Sequence, residues 1–167
     1  MLIIFGGLSG TGKTTISRKL VETIGAVHLR IDTIETAITN SSLNVKEVDN
    51  AGYLVAYGVA KDNLLIGRTV VADSVNPIKL TREAWRKVAK LAGTEFVEIE
   101  VTCSDTKEHQ KRVETRIADI TGHKLPTWQE TINRTYENWE PQGIIIDTAT
   151  SSLDQSLEKI ISFLSQR

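Results

Sequence analysis

A run of small and basic residues near the N-terminus carries the clearest chemical signal. Residues 7–14 are Gly-Leu-Ser-Gly-Thr-Gly-Lys-Thr, which satisfies the pattern G-x-x-x-x-G-K-[ST] in full. Glycines let the backbone turn so that successive N–H groups point at one anion, and the lysine adds a point charge for phosphate oxygens. The next hydroxyl is a ligand for Mg²⁺. The run predicts a site for ATP and Mg²⁺ formed by Gly7, Ser9, Gly10, Thr11, Gly12, Lys13, Thr14 and Thr15.

The flanking residues provide the context that such a phosphate loop needs. Leu2–Phe5 is a continuous apolar run, which predicts a buried strand directly before the loop. After the loop, Ile16, Leu20 and Ile24 recur at helical spacing, and Gly25 predicts the end of that helix. The loop is therefore predicted to open a helix, whose positive N-terminal end favours phosphate.

Several classes of phosphate-loop protein are disfavoured by what the chain lacks. It contains no N-K-x-D guanine-reading motif and no L-S-G-G-Q-like transporter signature. Asp73 follows an apolar run but precedes Ser74, so no paired acid is present to activate water. A small transferase remains, which moves the γ-phosphoryl group to an acceptor hydroxyl. An ATP-binding switch or assembly factor is the alternative from another class.

Two aspartates follow predicted strands and supply candidate chemistry. Asp32 follows the second strand, and we predict that it is the general base and the anchor for the acceptor. Its alternative role is that of a helix N-cap, with Glu35 three residues on as in a capping box. Asp73 follows the third strand and is predicted to hold Mg²⁺ through water, or else the acceptor. Its alternative is a plain cap at the strand end.

Two arginines are predicted to close over the phosphates. Arg112 and Arg116 are four residues apart and so share one helical face just before a polar loop. A closing lid would present guanidinium groups from this place, and together with Lys13 and Asp32 they form the predicted catalytic set. The alternative is a solvated face on which they pair with Glu108 and Glu114.

Other conspicuous side chains have simpler explanations. His28, His109 and His123 are scattered and predict no metal site, so surface or strand-end roles are expected. Trp128 and Trp139 are predicted to pack the lid helix onto the body rather than stack on a base.

Short apolar runs alternate with stretches of helical period along the chain, which predicts βα units and a parallel sheet. We expect a three-layer α/β/α sandwich with five parallel strands, one domain over residues 1–167, and a small helical lid over about 112–138. The strand over 95–102 is predicted to be less buried. A helix from Ser104 or Asp105 through Ile120 and another over roughly 128–139 are also predicted. The polar stretch 40–50 is either a mobile substrate loop or a plain connection.

Composition limits partners and location. The chain has 167 residues and a net charge of −1, so it offers no electrostatic case for a membrane and disfavours, without excluding, a nucleic-acid partner. No stretch approaches the roughly 20 apolar residues of a membrane span. The single Cys103 fits a reducing compartment, and a cytoplasmic location is expected. Oligomeric state is not predicted.

With these residues in place, the chain resembles the small P-loop kinases grouped with polynucleotide 5′-hydroxyl kinase domains, gluconate kinases, chloramphenicol phosphotransferases and zeta toxins. The matching pieces are residues 7–15, Arg30-Ile31-Asp32, residues 71–77, Arg116 with Pro126 and Tyr136, and Ile146-Asp147-Thr148. The resemblance implies the P-loop nucleoside triphosphate hydrolase fold, and that Asp32 activates the acceptor hydroxyl. It further implies that Arg116 stabilises the transferred phosphoryl group and that the region from Thr148 to Thr150 contacts adenine.

One departure from that family bears on the acceptor. Polynucleotide kinases commonly carry an arginine three residues after the catalytic aspartate, where this chain has Glu35. An acidic group there should repel a nucleic-acid 5′ end. A small hydroxylated acceptor, such as a sugar, nucleoside or antibiotic, is therefore predicted, and a polynucleotide 5′-hydroxyl or a nucleotide is the alternative.

Overall fold

The computed structural model describes residues 1–42, 45, 47–139 and 141–167. The described chain alternates short strands with helices. In order, the elements are β1 (Leu2–Gly6), α1 (Lys13–Ile24), β2 (Val27–Arg30), α2 (Ile31–Thr39), α3 (Ala51–Leu65), β3 (Val70–Asp73), α4 (Lys79–Leu91), β4 (Phe96–Thr102), α5 (Thr106–Thr115), α6 (Trp128–Ile132), β5 (Gly143–Asp147) and α7 (Leu153–Leu164). Within the described ranges, none of these helices has the length and apolar character to cross a membrane.

The five strands form one parallel sheet in the order β2-β3-β1-β4-β5. Side chains of the central strand β1 alternate between two apolar cores. Leu2 and Ile4 face the core shared with α3 and α4, whereas Ile3 and Phe5 face the core shared with α1 and α7. Helices thus cover both faces of the sheet, and the predicted three-layer sandwich with five parallel strands is confirmed.

Strand β4 is more buried than predicted. Val97, Ile99 and Val101 are fully buried, because β4 pairs with β1 on one side and with β5 on the other. The alternating acids Glu98 and Glu100 made the strand look partly solvated. Glu98 is nevertheless fully buried, since Arg86 binds both of its carboxylate oxygens at 2.7 and 2.9 Å. A buried carboxylate is tolerated when it is paired in this way.

Both helices predicted around the lid are shorter than expected. Helix α5 ends at Thr115 because Arg116 adopts an extended conformation (φ −71°, ψ 143°), so the predicted extension to Ile120 is wrong. Helix α6 ends at Ile132 rather than near Trp139. We call residues 116–139 the lid segment. The first four residues of the predicted lid, 112–115, belong to α5.

Arg82 fastens the end of the lid segment to the body. Its guanidinium group donates to the backbone oxygens of Asn76, Pro77, Glu137 and Asn138. These bonds tie the non-helical chain at Glu137 and Asn138 to the start of α4. The ring of Trp139 packs on β1, where a Cβ on Gly6 would lie 2.0 Å from it. The prediction that Trp139 packs the lid onto the body is therefore confirmed.

The polar stretch 40–50 can be compared with its prediction only in part. Leu43, Asn44 and Lys46 lie outside the described residues. Its role as a substrate loop or a plain connection stays a prediction.

Candidate functional site

The phosphate loop joins the end of β1 to the start of α1. Gly7 has φ 130°, and a Cβ there would lie 2.0 Å from the carbonyl oxygen of Val101. Its N–H donates to the carbonyl of Val75 at 3.1 Å. Gly12 has φ 95° and is the N-cap of α1. Glycine is required at these two positions because other residues rarely adopt such angles.

Lys13 is buried beneath the loop. Its Nζ donates to the carbonyl of Leu8 at 2.8 Å. Burial lowers the pKa of Lys13 to about 8, although Asp73 and Asp32 act in the opposite direction. A phosphate group in the loop would add negative charge beside this amine and favour its ammonium form.

A cavity of about 510 Å³ opens over the loop. It is lined by more cations than carboxylates, which suits a polyanion such as a triphosphate. The cations are Lys13, Arg18, Arg30, Arg112 and Arg116, and the carboxylates are those of Asp32, Asp73 and Asp119. Ser9, Gly10, Gly12, Thr14 and Thr15 also line this cavity, as predicted from the motif. Gly7 and Thr11 are buried and are not among the residues that line it.

Asp73 and Thr14 offer oxygen ligands at the floor of this cavity. Parallel pairing places Asp73 opposite Phe5, so its carboxylate lies beside the phosphate loop. Its Oδ2 is buried and has no hydrogen-bond partner among the described residues, although His28 Nε2 lies 3.4 Å away. Burial alone would raise the pKa of Asp73, but His28, Lys13 and Thr14 outweigh it and lower that pKa.

This carboxylate fits a magnesium site. Mg²⁺ prefers oxygen ligands and usually takes only one or two from the protein, with phosphate oxygens and water completing its shell. An ionised, buried oxygen without a hydrogen bond meets that need. No group of three or more His, Cys, Asp or Glu side chains that could hold a metal occurs in the described part of the chain.

Asp32 lies in the first turn of α2. The N-cap of that helix is Arg30, so the alternative role of Asp32 as the cap is wrong. Its Oδ2 lies 3.5 Å from Arg30 NH2 and 3.9 Å from His123 Nε2. The side chain is 36% exposed, which leaves the carboxylate open to a ligand.

A second cavity, of about 250 Å³, adjoins the first. Its walls come from α2, α3 and the lid segment. Four residues line both cavities, namely Ser9, Asp32, Val75 and Arg116. Asp32 and Arg116 therefore lie at the junction of a polyanion cavity and a neighbouring small-molecule cavity, as a transfer reaction would require.

An ionic cluster fastens the lid segment beside Arg116. Arg30 is buried and donates two hydrogen bonds to Asp119, at 2.7 and 3.1 Å, while Arg18 contacts the same carboxylate at 2.6 Å. Arg30 foremost, and Arg18, hold the pKa of Asp119 well below its usual range. The cluster links α1, β2 and the lid segment, and so limits where Arg116 can lie.

Arg112 and Thr148 lie on the opposite side of the phosphate loop from Asp32. Arg112 NH1 donates to the Thr148 hydroxyl at 2.8 Å, and its Nε donates to Glu108 at 2.9 Å. The pairing with Glu108 expected under the alternative is therefore present. Both residues line a third cavity of about 540 Å³ next to Gly12 and Thr15. The resemblance to small P-loop kinases predicts the adenine of ATP beside Thr148, and both this placement and the adenine contact stay predictions.

His109 is a contributor that the sequence did not indicate. Its ring is buried, Nε2 lies 2.7 Å from the carbonyl oxygen of Ser9, and it therefore donates to the phosphate loop. Trp128 of α6 packs against that ring edge-on, at 5.2 Å between centroids. The surface role expected for His109 is wrong, whereas Trp128 does pack α6 onto the body. The available signal was the spacing of His109 and Val113, which places both on the buried face of α5.

Comparison with known proteins agrees with this geometry. The AAA domain family profile matches residues 2–138. The chain belongs to this family. It is 30% identical to an adenylyl-sulfate kinase of Staphylococcus epidermidis, over 99% of this chain and 84% of that protein.

Solved structures share the fold of this AAA domain protein. An APS kinase of Mycobacterium tuberculosis in complex with AMPPNP and APS superposes with a TM-score of 0.69, at 19% identity over 98% of this chain and 96% of that one. A gluconokinase of Sinorhizobium meliloti 1021 gives 0.67, at 19% identity over 98% and 91%. The predicted kinship with small P-loop kinases is confirmed, and the chain is an ATP-dependent kinase.

Proposed function

We propose that this kinase transfers the γ-phosphoryl group of ATP to a hydroxyl group of a small molecule bound in the 250 Å³ cavity. One observation carries the proposal: Asp32 and Arg116 line both this cavity and the phosphate cavity. The acceptor and the transferred group would meet between these two side chains.

The chemistry assigns one task to each residue. Asp32 accepts the proton of the acceptor hydroxyl as its oxygen forms a bond to the γ-phosphorus. The bond from that phosphorus to the bridging oxygen breaks, and its electron pair leaves with ADP. Arg116 and Lys13 line the phosphate cavity and would neutralise the charge on the moving phosphoryl group. Thr14 and Asp73 would hold Mg²⁺, which when bound neutralises charge on the β and γ oxygens.

Adenylyl sulfate is a second candidate acceptor, favoured by the 30% identity to a kinase of that compound. Lys124 and Arg134 line the acceptor cavity and would attract an anion. Asp32, Glu35 and Glu130 line it too and would repel one.

Acceptor-dependent formation of ADP tests the proposal. Initial rates should be measured with MgATP and a panel of sugars, amino sugars, nucleosides, adenylyl sulfate and a 5′-hydroxyl oligonucleotide. We expect a small hydroxyl compound to raise the rate and to appear as its phosphate ester by mass spectrometry. If no compound raises the rate while ATP still binds, transfer to a small acceptor is refuted and an ATP-driven switch is favoured. The oligonucleotide as sole acceptor would favour the polynucleotide alternative.

A further inference from the structure

Glu35 occupies a place in the acceptor cavity that the neighbouring helix leaves open for it. It follows Asp32 by one helical turn on α2, and both carboxylates line the 250 Å³ cavity. A Cβ on Gly52 of α3 would lie 2.3 Å from Glu35 Cγ. The absence of a side chain at Gly52 therefore gives the stem of Glu35 its room.

The carboxylate of Glu35 has no direct partner among the residues that the structure describes. Within the described ranges, its side chain makes no hydrogen bond and no ion pair, although it is half-buried. Burial, and then Asp32, raise the pKa of Glu35, while Arg134 acts in the opposite direction. A half-buried carboxylate is stabilised by a donor or a positive charge, and here a bound molecule can supply it.

Cationic side chains line the opposite wall of the cavity. Arg116, Lys124 and Arg134 belong to the lid segment, whereas Asp32 and Glu35 belong to α2. The lid segment also lines the cavity with Glu130, but the carboxylate of Glu130 already accepts hydrogen bonds from the N–H and the hydroxyl of Thr127. A ligand in this space therefore meets Asp32 and Glu35 on one side and mostly cations on the other. Arg116 also lines the phosphate cavity and is assigned to the transferred phosphoryl group.

We infer that the acceptor is a hydroxylated amine, such as an amino alcohol or amino sugar, whose ammonium group binds Glu35 while its hydroxyl group faces Asp32. Side chains three residues apart on a helix have Cβ atoms about 5–6 Å apart, so the two groups would lie within a few bonds of each other. The inference rests on the proposed function and makes Glu35 the residue that determines acceptor charge. An anionic acceptor, adenylyl sulfate included, would be repelled there.

Matched acceptors separate this inference from the transfer reaction itself. Rates of ADP formation would be compared within sets that differ only at the amine: glucosamine, glucose and N-acetylglucosamine, and serinol and glycerol, with gluconate and adenylyl sulfate as anions. The highest kcat/KM should belong to a compound with a free ammonium group. A neutral or anionic compound with the highest value overturns the inference but leaves the transfer reaction intact. If no compound raises the rate while ATP binds, the proposed function itself has failed.

Variants then test Glu35 on the best acceptor. Glu35→Gln should raise KM for the amine by about tenfold or more, since a charge-assisted hydrogen bond is lost, while kcat and the KM for ATP stay unchanged. The KM for the neutral analogue should be the same for the variant and the unchanged enzyme. Gly52→Ala, which displaces the stem but keeps the charge, should raise KM in the same direction. Glu158→Gln on the exposed face of α7 is the matched control. If Glu35→Gln raised the KM for the amine and for the neutral analogue equally, Glu35 would have only a structural role.

Discussion

The two halves of the active cleft are built in different ways. The donor half consists mainly of one continuous stretch, residues 7–15, held by the end of β1 and the start of α1. The acceptor half combines side chains from α2, α3 and the lid segment, which are up to about a hundred residues apart. We expect the donor half to bind phosphates mainly through the backbone groups and the lysine of this stretch, with arginines from other elements around it, whereas charged side chains from separate elements form most of the acceptor half. ATP binding should thus tolerate changes in the acceptor half that abolish or redirect transfer.

The largest effect should come from Asp32→Asn. We expect transfer to fall by roughly 10²–10⁴-fold, the usual contribution of general acid–base catalysis, because the amide takes up no proton. ATP affinity, measured by titration calorimetry, should stay nearly the same, since residues 7–15 are unchanged and the asparagine keeps the size of the side chain. Asp62→Asn on the exposed face of α3 serves as the control. Unchanged turnover in single-turnover assays would remove Asp32 from the mechanism.

Substitutions of Arg116 and Arg112 should have different effects, the first on phosphoryl transfer and the second on ATP binding. Arg116→Ala should lower kcat by roughly 10²-fold, as loss of a transition-state donor does, with little change in ATP affinity. Arg112→Ala should mainly raise the KM for ATP, because Arg112 holds Thr148 beside the third cavity. Rapid-quench measurements of kcat with equilibrium binding of an ATP analogue separate the two effects. The reverse pattern would make Arg116 a nucleotide clamp.

A smaller effect is expected at His109, which supports the donor half from α5. His109→Phe keeps a ring against Trp128 but removes the donor to the Ser9 carbonyl. A neutral hydrogen bond contributes about 1 kcal/mol, so the Kd for ATP should rise by roughly fivefold. The control is His123→Phe, which changes the acceptor half and should leave that Kd unchanged. Equal effects of both variants on ATP binding would contradict the separation of the halves.

The smallest effect concerns stability, through Asp119. Because its pKa is lowered in the folded chain, the stabilisation it adds is complete above the ordinary aspartate pKa of about 3.9 and is lost as the pH falls below it. Asp119→Asn should lower the free energy of unfolding at neutral pH by on the order of 1 kcal/mol, since the carboxylate is 40% exposed. Urea titrations of both proteins should converge as the pH falls below about 4. If the difference in unfolding free energy between the two proteins were the same at every pH, the charge on Asp119 would not contribute to stability.

The contrast between a contiguous donor half and a dispersed acceptor half also explains how much of the structure the sequence could predict. Gly7, Gly12 and Lys13 form a contiguous motif with one geometry, and the alternating apolar runs predicted every strand of the sheet. The depth of β4 was misjudged because Glu98 is paired with Arg86, a partner twelve residues away that no local pattern reveals. The far end of the lid segment also depends on a distant residue. Arg82 binds the carbonyls of Glu137 and Asn138 across 55 and 56 residues of sequence, which no local pattern reveals.

The anchoring of the lid segment at both ends has a consequence for how such kinases diversify. Asp119 is tied to Arg30 and Arg18, and the far end is tied to Arg82. We expect the stretch between these anchors to be exchangeable as a unit while the attachment points stay. A stretch taken from a relative with another substrate should carry much of its acceptor preference with it, and should leave ATP binding intact as long as the residue at position 128 still packs on His109.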